Sequence, residues 1–493
     1  MMNTTPSQLV SRIQLSSMFD GLDVFAVGGA VRAIFTNRQA VDVDLMVRGV
    51  TPKEMVERGF RLIVGGNTPN SMSNTEFREQ AVAAALDGRL MDYLQQFDGT
   101  GFPVFLDDEG REIALARKEV STGAGHREFN VIASPEVTVE EDLSRRDFTV
   151  NAMAVALTDT DEFDAGTVID PFDGQIDISQ GIIRVVNENS FAEDPLRILR
   201  MARFAARLEF DVHPETLTSA RQHVGTPGFV RREPSGLYSL PSERWGLEVL
   251  KAFTQAEQPS RFIKVLDSAQ ALSVVFPELV ALKGVPAGPD EYHREGDAFD
   301  HTMLVMDEMA ALRPGEPRAV FAALAHDLGK SLTPEAERPS HPLHHKNGVA
   351  LMSGIQSRLV LPTEFQGVME TAARHHMKMH EIDSLRESTV LSLVDDLRDD
   401  YSVDNPGDEP VVRHIKLDEL IDLAVADNRG REPSGEFDRE SAEALFDRAR
   451  RVLDGIGGAH VMETFDAPQG KQFGDLLRQE RVRAMRDPDS FGV

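Results

Sequence analysis

Two aspartates one residue apart, Asp42 and Asp44, sit inside the apolar run "VDVDLMV". Side chains alternate faces along a strand, so both carboxylates point one way while Val41, Val43, Leu45 and Val47 point the other, into a core. Two carboxylates side by side repel unless a cation lies between them. A pair of Mg²⁺ ions held in this manner serves in-line phosphoryl or nucleotidyl transfer. A third acid on a neighbouring strand would complete the set, and Glu112 in "REIALAR" fits, with Ile113 and Leu115 on the opposite face. Alone, a D-x-D also describes a solvated strand edge or a turn. Upstream, "GGAVRA" supplies Gly28 and Gly29, whose backbone can approach phosphate oxygens where a helix begins, and Arg32 one turn in as a charge-assisted clamp.

A second set of chemical groups begins near residue 300. "FDHTM" carries His301, "FAALAHDLGK" carries the adjacent His326 and Asp327 on an apolar helix, and "LAVADNRGR" carries Asp427. Imidazoles and carboxylates of this kind hold a divalent metal that activates water against a phosphoester. His341, His344, His345, His375, His376 and His380 lie between these segments. With no cysteine in the chain, disulfides and thiolate sites are excluded, and any metal must be held by His, Asp or Glu.

The elements that must position these groups fall into two kinds. From about 23 to 157, short β-type runs ("DVFAVGG", "FRLIVGG", "FPVFLDD", "FTVNAMAVAL") alternate with helical ones, as in an α/β or α+β domain. Residues 66–100 read as an insertion with its own helix. From about 178 onward nearly everything reads as helix, with Gly/Pro-rich or acidic breaks near 224–243 and 284–299 taken as linkers. The expected division is 1–157, 158–284, 285–440 and 441–493.

At 493 residues the chain exceeds one ordinary core. Its beginning has no apolar run of signal type and no later segment could span a bilayer, so a cytoplasmic protein with no membrane partner is expected. The net charge of −29 argues against a nucleic-acid partner unless acidity is a solvation adaptation. Local distribution decides more than the sum. Residues 197–264 carry Arg197, Arg200, Arg203, Arg207, Arg221, Arg231, Arg232, Arg244, Lys251, Arg261 and Lys264, a stripe of the kind an RNA stem would need, or else a solvated helical face.

The order G-G-x-x-R, strand, D-x-D, followed by "EEDLSRRDFTVNAMA", "IDPFDGQIDISQGIIRVV" and "FAEDPLRILRMARFAARLEF", resembles the class II tRNA nucleotidyltransferases (CCA-adding enzymes) and their bacterial poly(A) polymerase relatives. The likeness continues through "VVFPELVALKGVPA" into the HD phosphohydrolase domain that some bacterial CCA enzymes carry. It implies an α+β fold: a mixed α/β nucleotidyltransferase head, a helical neck and body, and a helical HD domain. It implies Asp42 and Asp44 as the Mg²⁺-binding catalytic pair with Glu112 as third acid. Gly28, Gly29 and Arg32 would hold the triphosphate, and Arg146, Asp147 and Asn151 the ribose and phosphates. Glu193, Asp194 and Arg197, with Arg200 behind them, match the block that reads the base edge of CTP or ATP. Pro195 suits the first turn of a helix, which would set Asp194 and Arg197 three apart on one face, a geometry also open to an ordinary ion pair.

In the second domain the resemblance implies His301, His326, Asp327 and Asp427 as ligands of a divalent transition metal such as Mn²⁺, Ni²⁺ or Co²⁺. His344 and His376 match positions for a second metal or a phosphate contact, and Lys330 a position near the substrate phosphate. The implied activity is template-independent CCA addition to tRNA from CTP and ATP, by a monomer or homodimer, with 2′,3′-cyclic phosphodiesterase, 2′-nucleotidase and phosphatase activity for repair of 3′ ends. Poly(A) polymerases and CC- or A-adding enzymes share the first set of motifs. A phosphohydrolase with a vestigial RNA-binding head is the alternative of another class. One departure favours it: Ala33 stands where the family has Asp.

Overall fold

The computed structural model describes residues 15–36, 43–66, 73–97, 100–121, 129–132, 134–157, 168–226, 229, 242–397, 414–465 and 471–493. The chain divides into two compact units, Met1–Leu240 and Pro241–Val493.

The first unit is built on a seven-stranded sheet. Its strands are β1 (Asp23–Val27), β2 (Asp44–Arg48), β3 (Arg61–Gly66), β4 (Thr100–Leu106), β5 (Glu112–Leu115), β8 (Ala154–Leu157) and β9 (Val168–Ile169), in the order β3-β4-β5-β2-β1-β8-β9. The pairing β2–β5 is parallel and the others are antiparallel. Strands β6 (Lys118–Ser121) and β7 (Phe129–Ile132) form a separate hairpin. Beyond Asp44, β2 is apolar on both faces: Leu45, Met46 and Val47 are all buried. Met46 packs with Phe25 and Val27 against Val139 and Leu143. The insertion joins the antiparallel pair β3–β4 and carries two helices, Asn74–Leu86 and Leu90–Leu94, where the sequence had suggested one.

Three helices frame the first site. Helix α1 (Gly29–Thr36) follows β1 after Gly28, whose φ of +67° is the left-handed conformation that glycine adopts without strain. Helix α2 (Val139–Ser144) starts at a capping box in which Thr138 Oγ1 accepts from Glu141 N and Glu141 Oε2 accepts from Thr138 N. Helix α3 (Arg197–Leu208) follows a short helix, Ser190–Glu193, across the corner Asp194-Pro195-Leu196.

Asp194 therefore lies outside the helix, not three residues along a shared helical face with Arg197. Its backbone is extended (φ −138°, ψ 99°) because a residue preceding proline is driven from the helical region. The basic stripe changes as well. Arg197 and Arg203 are only 8% and 5% exposed, so they face the interior and not a solvated surface. Arg231 and Arg232 lie outside the described residues.

The second unit is helical. Helix α4 (Ala298–Leu312) begins at Asp297, whose carboxylate accepts from Phe299 N and Asp300 N. Helix α5 (Pro317–Ala325) has proline in its first turn and is buried from Ala319 to Ala325. Phe321 anchors it between the rings of Phe253 and Phe365, at 5.0 and 5.2 Å. Helices α6 (Thr363–His380) and α7 (Leu417–Arg429) complete the frame. The 284–299 segment is more than a linker: Pro286 pairs with Asp297, and Ala287 O and Pro286 O accept from Lys330 Nζ and His341 Nε2. The break near 224–243 falls mostly outside the described residues.

Candidate active sites

In the first site, Leu45 of β2 pairs with Ile113 of β5 in parallel register. Asp44 and Glu112 each precede that pair by one residue, so they stand side by side on adjacent strands and both are exposed. Asp42 lies outside the described residues. Gly28 sits against the same carboxylate: a Cβ there would come 3.5 Å from Asp44 Oδ2 and 3.1 Å from Arg146 Nη1. A larger residue would thus press on Arg146 and touch Asp44. Gly29 opens α1, with an added Cβ 3.7 Å from Arg32 Nη2.

A buried polar network continues from Arg32. Its Nη1 donates to Asn151 Oδ1, Asn151 Nδ2 donates to Asp147 Oδ1 at 2.9 Å, and Arg200 donates from Nη2 and Nε to Asp147 Oδ2 at 2.6 and 2.8 Å. Burial alone would raise the Asp147 carboxyl, but Arg200 and Asn151 more than offset it and hold the pKa down to about 2. Burial, with Arg207 nearby, lowers Arg32 to about 10, which leaves it charged at neutral pH. Arg32, Arg200 and Arg203 converge on the ring of Phe204, at 5.0, 5.5 and 4.1 Å from its centroid. Arg146 and Arg145 share the fully buried Asp142, at 3.1 and 2.6 Å.

Arg197 donates to Ser190 Oγ (2.9 Å), Glu193 Oε2 (3.1 Å) and Arg145 O (2.7 Å). Asp194 Oδ1 accepts from Leu196 N at 3.1 Å. Ala33 sits half-buried on α1, next to Arg32.

In the second site, His301 projects from α4, His326 and Asp327 follow the end of α5, His344 opens a short helix (His344–Asn347), His376 and His380 lie on α6 and Asp427 on α7. Asp327 faces two ways. Its Oδ1 lies 3.2 Å from His344 Nε2 and 3.4 Å from His376 Nε2, and its Oδ2 3.2 Å from His326 Nε2 and 3.8 Å from His301 Nε2. Asp427 Oδ1 is 3.1 Å from His301 Nε2, and its Oδ2 is 2.7 Å from His380 Nε2. These groups form two clusters able to hold an ion, His301–His326–Asp427 and Asp327–His344–His376.

The ring orientations are fixed from behind. Nδ1 of His326, His344 and His376 donates to Ala323 O (2.6 Å), His341 O (2.8 Å) and Ala373 O (2.8 Å), leaving each Nε2 lone pair facing the carboxylates. Burial would lower His301, yet Asp427 and Glu295 lift it to about 9; both aspartates are held well below the ordinary range by their cationic neighbours despite burial. Nε2 of His301 and of His326 is buried without a hydrogen-bond partner. Buried imidazole nitrogens that no protein group satisfies, grouped with two carboxylates, fit a divalent cation.

A cavity of about 230 Å³ opens on this cluster, lined in part by Tyr292, Lys330, His341, His380 and Arg431. Lys330 Nζ is held by Asp327 Oδ2 and Ala287 O, both at 2.6 Å. Sequence reasoning missed Arg431, which contacts Asp427 Oδ1 at 3.2 Å and His380 Nε2 at 2.9 Å. It also missed His293 and Glu295, for which no periodicity gives a signal. His375 belongs to neither cluster; burial, with Lys378, lowers it to about 3.

Comparison with known proteins agrees with this geometry. The family profile of the Poly A polymerase head domain matches residues 24–184, and that of the HD domain residues 298–429. The multifunctional CCA protein of Stenotrophomonas maltophilia (strain R551-3) is 37% identical over 478 residues, covering 94% of this chain and 99% of its own length. This chain belongs to the multifunctional CCA protein family. It is a CCA tRNA nucleotidyltransferase with a mixed α/β head, a helical remainder and an HD domain. The family member of Alkalilimnicola ehrlichii is 35% identical over 94% of this chain and 97% of its own. Among solved structures, the apo form II of a CCA-adding enzyme matches with a TM-score of 0.57 over 98% of this chain and 93% of that one, at 18% identity. A Thermotoga maritima CCA-adding enzyme complexed with tRNA matches with a TM-score of 0.55 over 97% and 94%, also at 18% identity. These two likenesses concern the fold. Among the described residues, no helix is long and apolar enough to cross a membrane.

Proposed function

We propose that the head adds C, C and A to tRNA 3′ ends in the cytoplasm, with CTP and ATP as donors and two Mg²⁺ ions held by Asp42 and Asp44, Glu112 being the third acid. Bound there, the ions would supply charge neutralisation for attack of the 3′-hydroxyl on the α-phosphate and departure of pyrophosphate. Gly28 keeps the backbone clear beside Asp44, and Arg146 and Arg32 offer positive charge to the triphosphate. Asp147, fixed between Arg200 and Asn151, keeps Arg32 in place. Ser190, Glu193 and Arg145 O fix Arg197, which with Asp194 would read a base edge without a nucleic-acid template. The observation that carries this reading is the pairing of Asp44 with Glu112 across β2 and β5, beside Gly28 and Arg146.

The HD domain is assigned a metal-dependent phosphohydrolase activity on RNA 3′ ends, including 2′,3′-cyclic phosphates. His301, His326 and Asp427 would hold one divalent transition metal, and His344 and His376 a second, with Asp327 between them. Bound metal would supply an activated water. Arg431, with Lys330 behind Asp327, offers positive charge to a phosphate entering the cavity.

The test uses purified protein, Mg²⁺ and a tRNA transcript ending before CCA, with CTP and ATP alone and together, and sequencing of the extended ends. Addition of C-C-A is expected, with Asp44→Ala reducing the rate about a thousandfold, a loss of roughly 4 kcal/mol. Long A runs would move the head to poly(A) synthesis. No extension beside intact hydrolysis of a 2′,3′-cyclic nucleotide would leave the HD domain as the working half.

A further inference from the structure

The segment between Gly284 and Asp297 brings an acid to the back of the HD site. The Glu295 side chain is 2% exposed although it lies in a non-helical stretch. Its Oε1 is 3.0 Å from Nδ1 of His301 and 2.7 Å from Nδ1 of His293, and its Oε2 accepts from Glu432 N at 2.9 Å. Of His301, His326, His344 and His376, only His301 has its Nδ1 against a carboxylate, the others placing theirs on backbone carbonyls.

The trio His293–Glu295–His301 could be taken for an ion site of its own. The spacing speaks against it. Four ligand atoms about 2.1 Å from a cation sit over 3 Å apart, whereas the 2.7 Å between Glu295 Oε1 and His293 Nδ1 is a hydrogen-bond separation. An imidazole that offers Nε2 to a metal must carry its proton on Nδ1, and an anion behind Nδ1 both selects that tautomer and makes Nε2 a stronger donor. Neither ring nitrogen of His301 has a partner in hydrogen-bond geometry: Nε2 faces Asp427 and Asp327, and Nδ1 makes its ion-pair contact with Glu295 at 3.0 Å.

From this geometry we infer that Glu295 is a positioning residue of the HD metal centre, acting through His301 to orient the ring and strengthen its hold on the ion. His293 shares the carboxylate without facing the ion, and Glu432 N holds its other oxygen. The inference rests on the metal-site reading of the HD domain. It makes the 284–297 segment part of the site: Glu295 braces His301, while Ala287 O and Pro286 O hold Lys330 and His341.

The experiment titrates metal-free full-length protein with Co²⁺, following its visible absorption bands, for the unmodified chain, Glu295→Gln and His293→Gln. Each titration is run well below that variant's own melting temperature, so that it reads folded protein. Glu295→Gln should weaken Co²⁺ binding about tenfold to a hundredfold, the usual cost of losing such a partner, with His293→Gln near the unmodified value. Equal affinity in Glu295→Gln overturns the inference. So does a loss that His293→Gln reproduces, because the fold of the segment would then be responsible. Absence of Co²⁺ binding in the unmodified protein would instead remove the metal-site reading on which the inference stands.

Discussion

At the scale of single residues, Asp147 shows how a buried carboxylate can be structural and still order the proposed nucleotide site. It is buried, and its ionised form is held by Arg200 and Asn151, which in turn holds Arg32. Its folded pKa of about 2 lies below the unfolded value near 3.8. Protons therefore bind the unfolded chain more readily, and the stabilisation is fully present above about pH 4 and lost as pH falls towards about 2. The depression corresponds to about 2–3 kcal/mol. Asp147→Asn should remove that slope from urea unfolding of the first unit between about pH 4 and pH 2. It should also raise KM for CTP and ATP more than it lowers kcat, since Arg32 loses its brace. An unchanged acid slope in the variant would show that the network does not depend on the Asp147 charge.

At the scale of elements, glycine explains how the His-Asp dyad reaches its partners. Gly329, two residues after Asp327, lies so close to the turn carrying His344 that an added Cβ would come 2.7 Å from Gly348 N and still nearer His344 O. Both neighbours are backbone, so neither can swing aside. Gly329→Ala should push the His344 turn outward and weaken binding at the Asp327–His344–His376 cluster, at a stability cost of about 1–3 kcal/mol. Melting temperature and metal stoichiometry would measure it, and a variant with unchanged melting and full stoichiometry would refute the tight contact. What the sequence made legible follows the same division. Side chains set by local spacing were readable: Asp44 and Glu112 from strand alternation, Arg32 one turn after Gly28, and His326–Asp327 after an apolar helix. Asp194 was misread as helical because Pro195 was taken as a helix start, while its steric push on the preceding residue prevailed. Glu295 and Arg431 were not readable as site residues, since only tertiary packing brings a loop and a helix end to His301, His380 and Asp427.

At the scale of the molecule, the described residues of each candidate site fall within one compact unit. Asp44, Glu112, Arg32, Asp147 and Arg197 belong to the first, and every HD residue from Glu295 to Arg431 to the second. The excess of acid, unpromising for an RNA-binding chain, leaves the charges behind each site paired and buried, as Asp147 is with Arg200 and Asp427 with His380. Metal binding should accordingly stabilise the units separately. A cation that binds the folded HD cluster at about a hundred times its Kd adds about 2.7 kcal/mol to that unit alone. Calorimetry of the full chain with transition metal and then with excess chelator should lower one melting transition and leave the other in place. Asp327→Asn, which removes the carboxylate lying between the two clusters, should abolish that chelator response while the variant keeps CCA addition. A chelator shift of equal size in both transitions would mean that the HD ion supports the fold of the first unit as well, and the two activities could not then be separated by mutation.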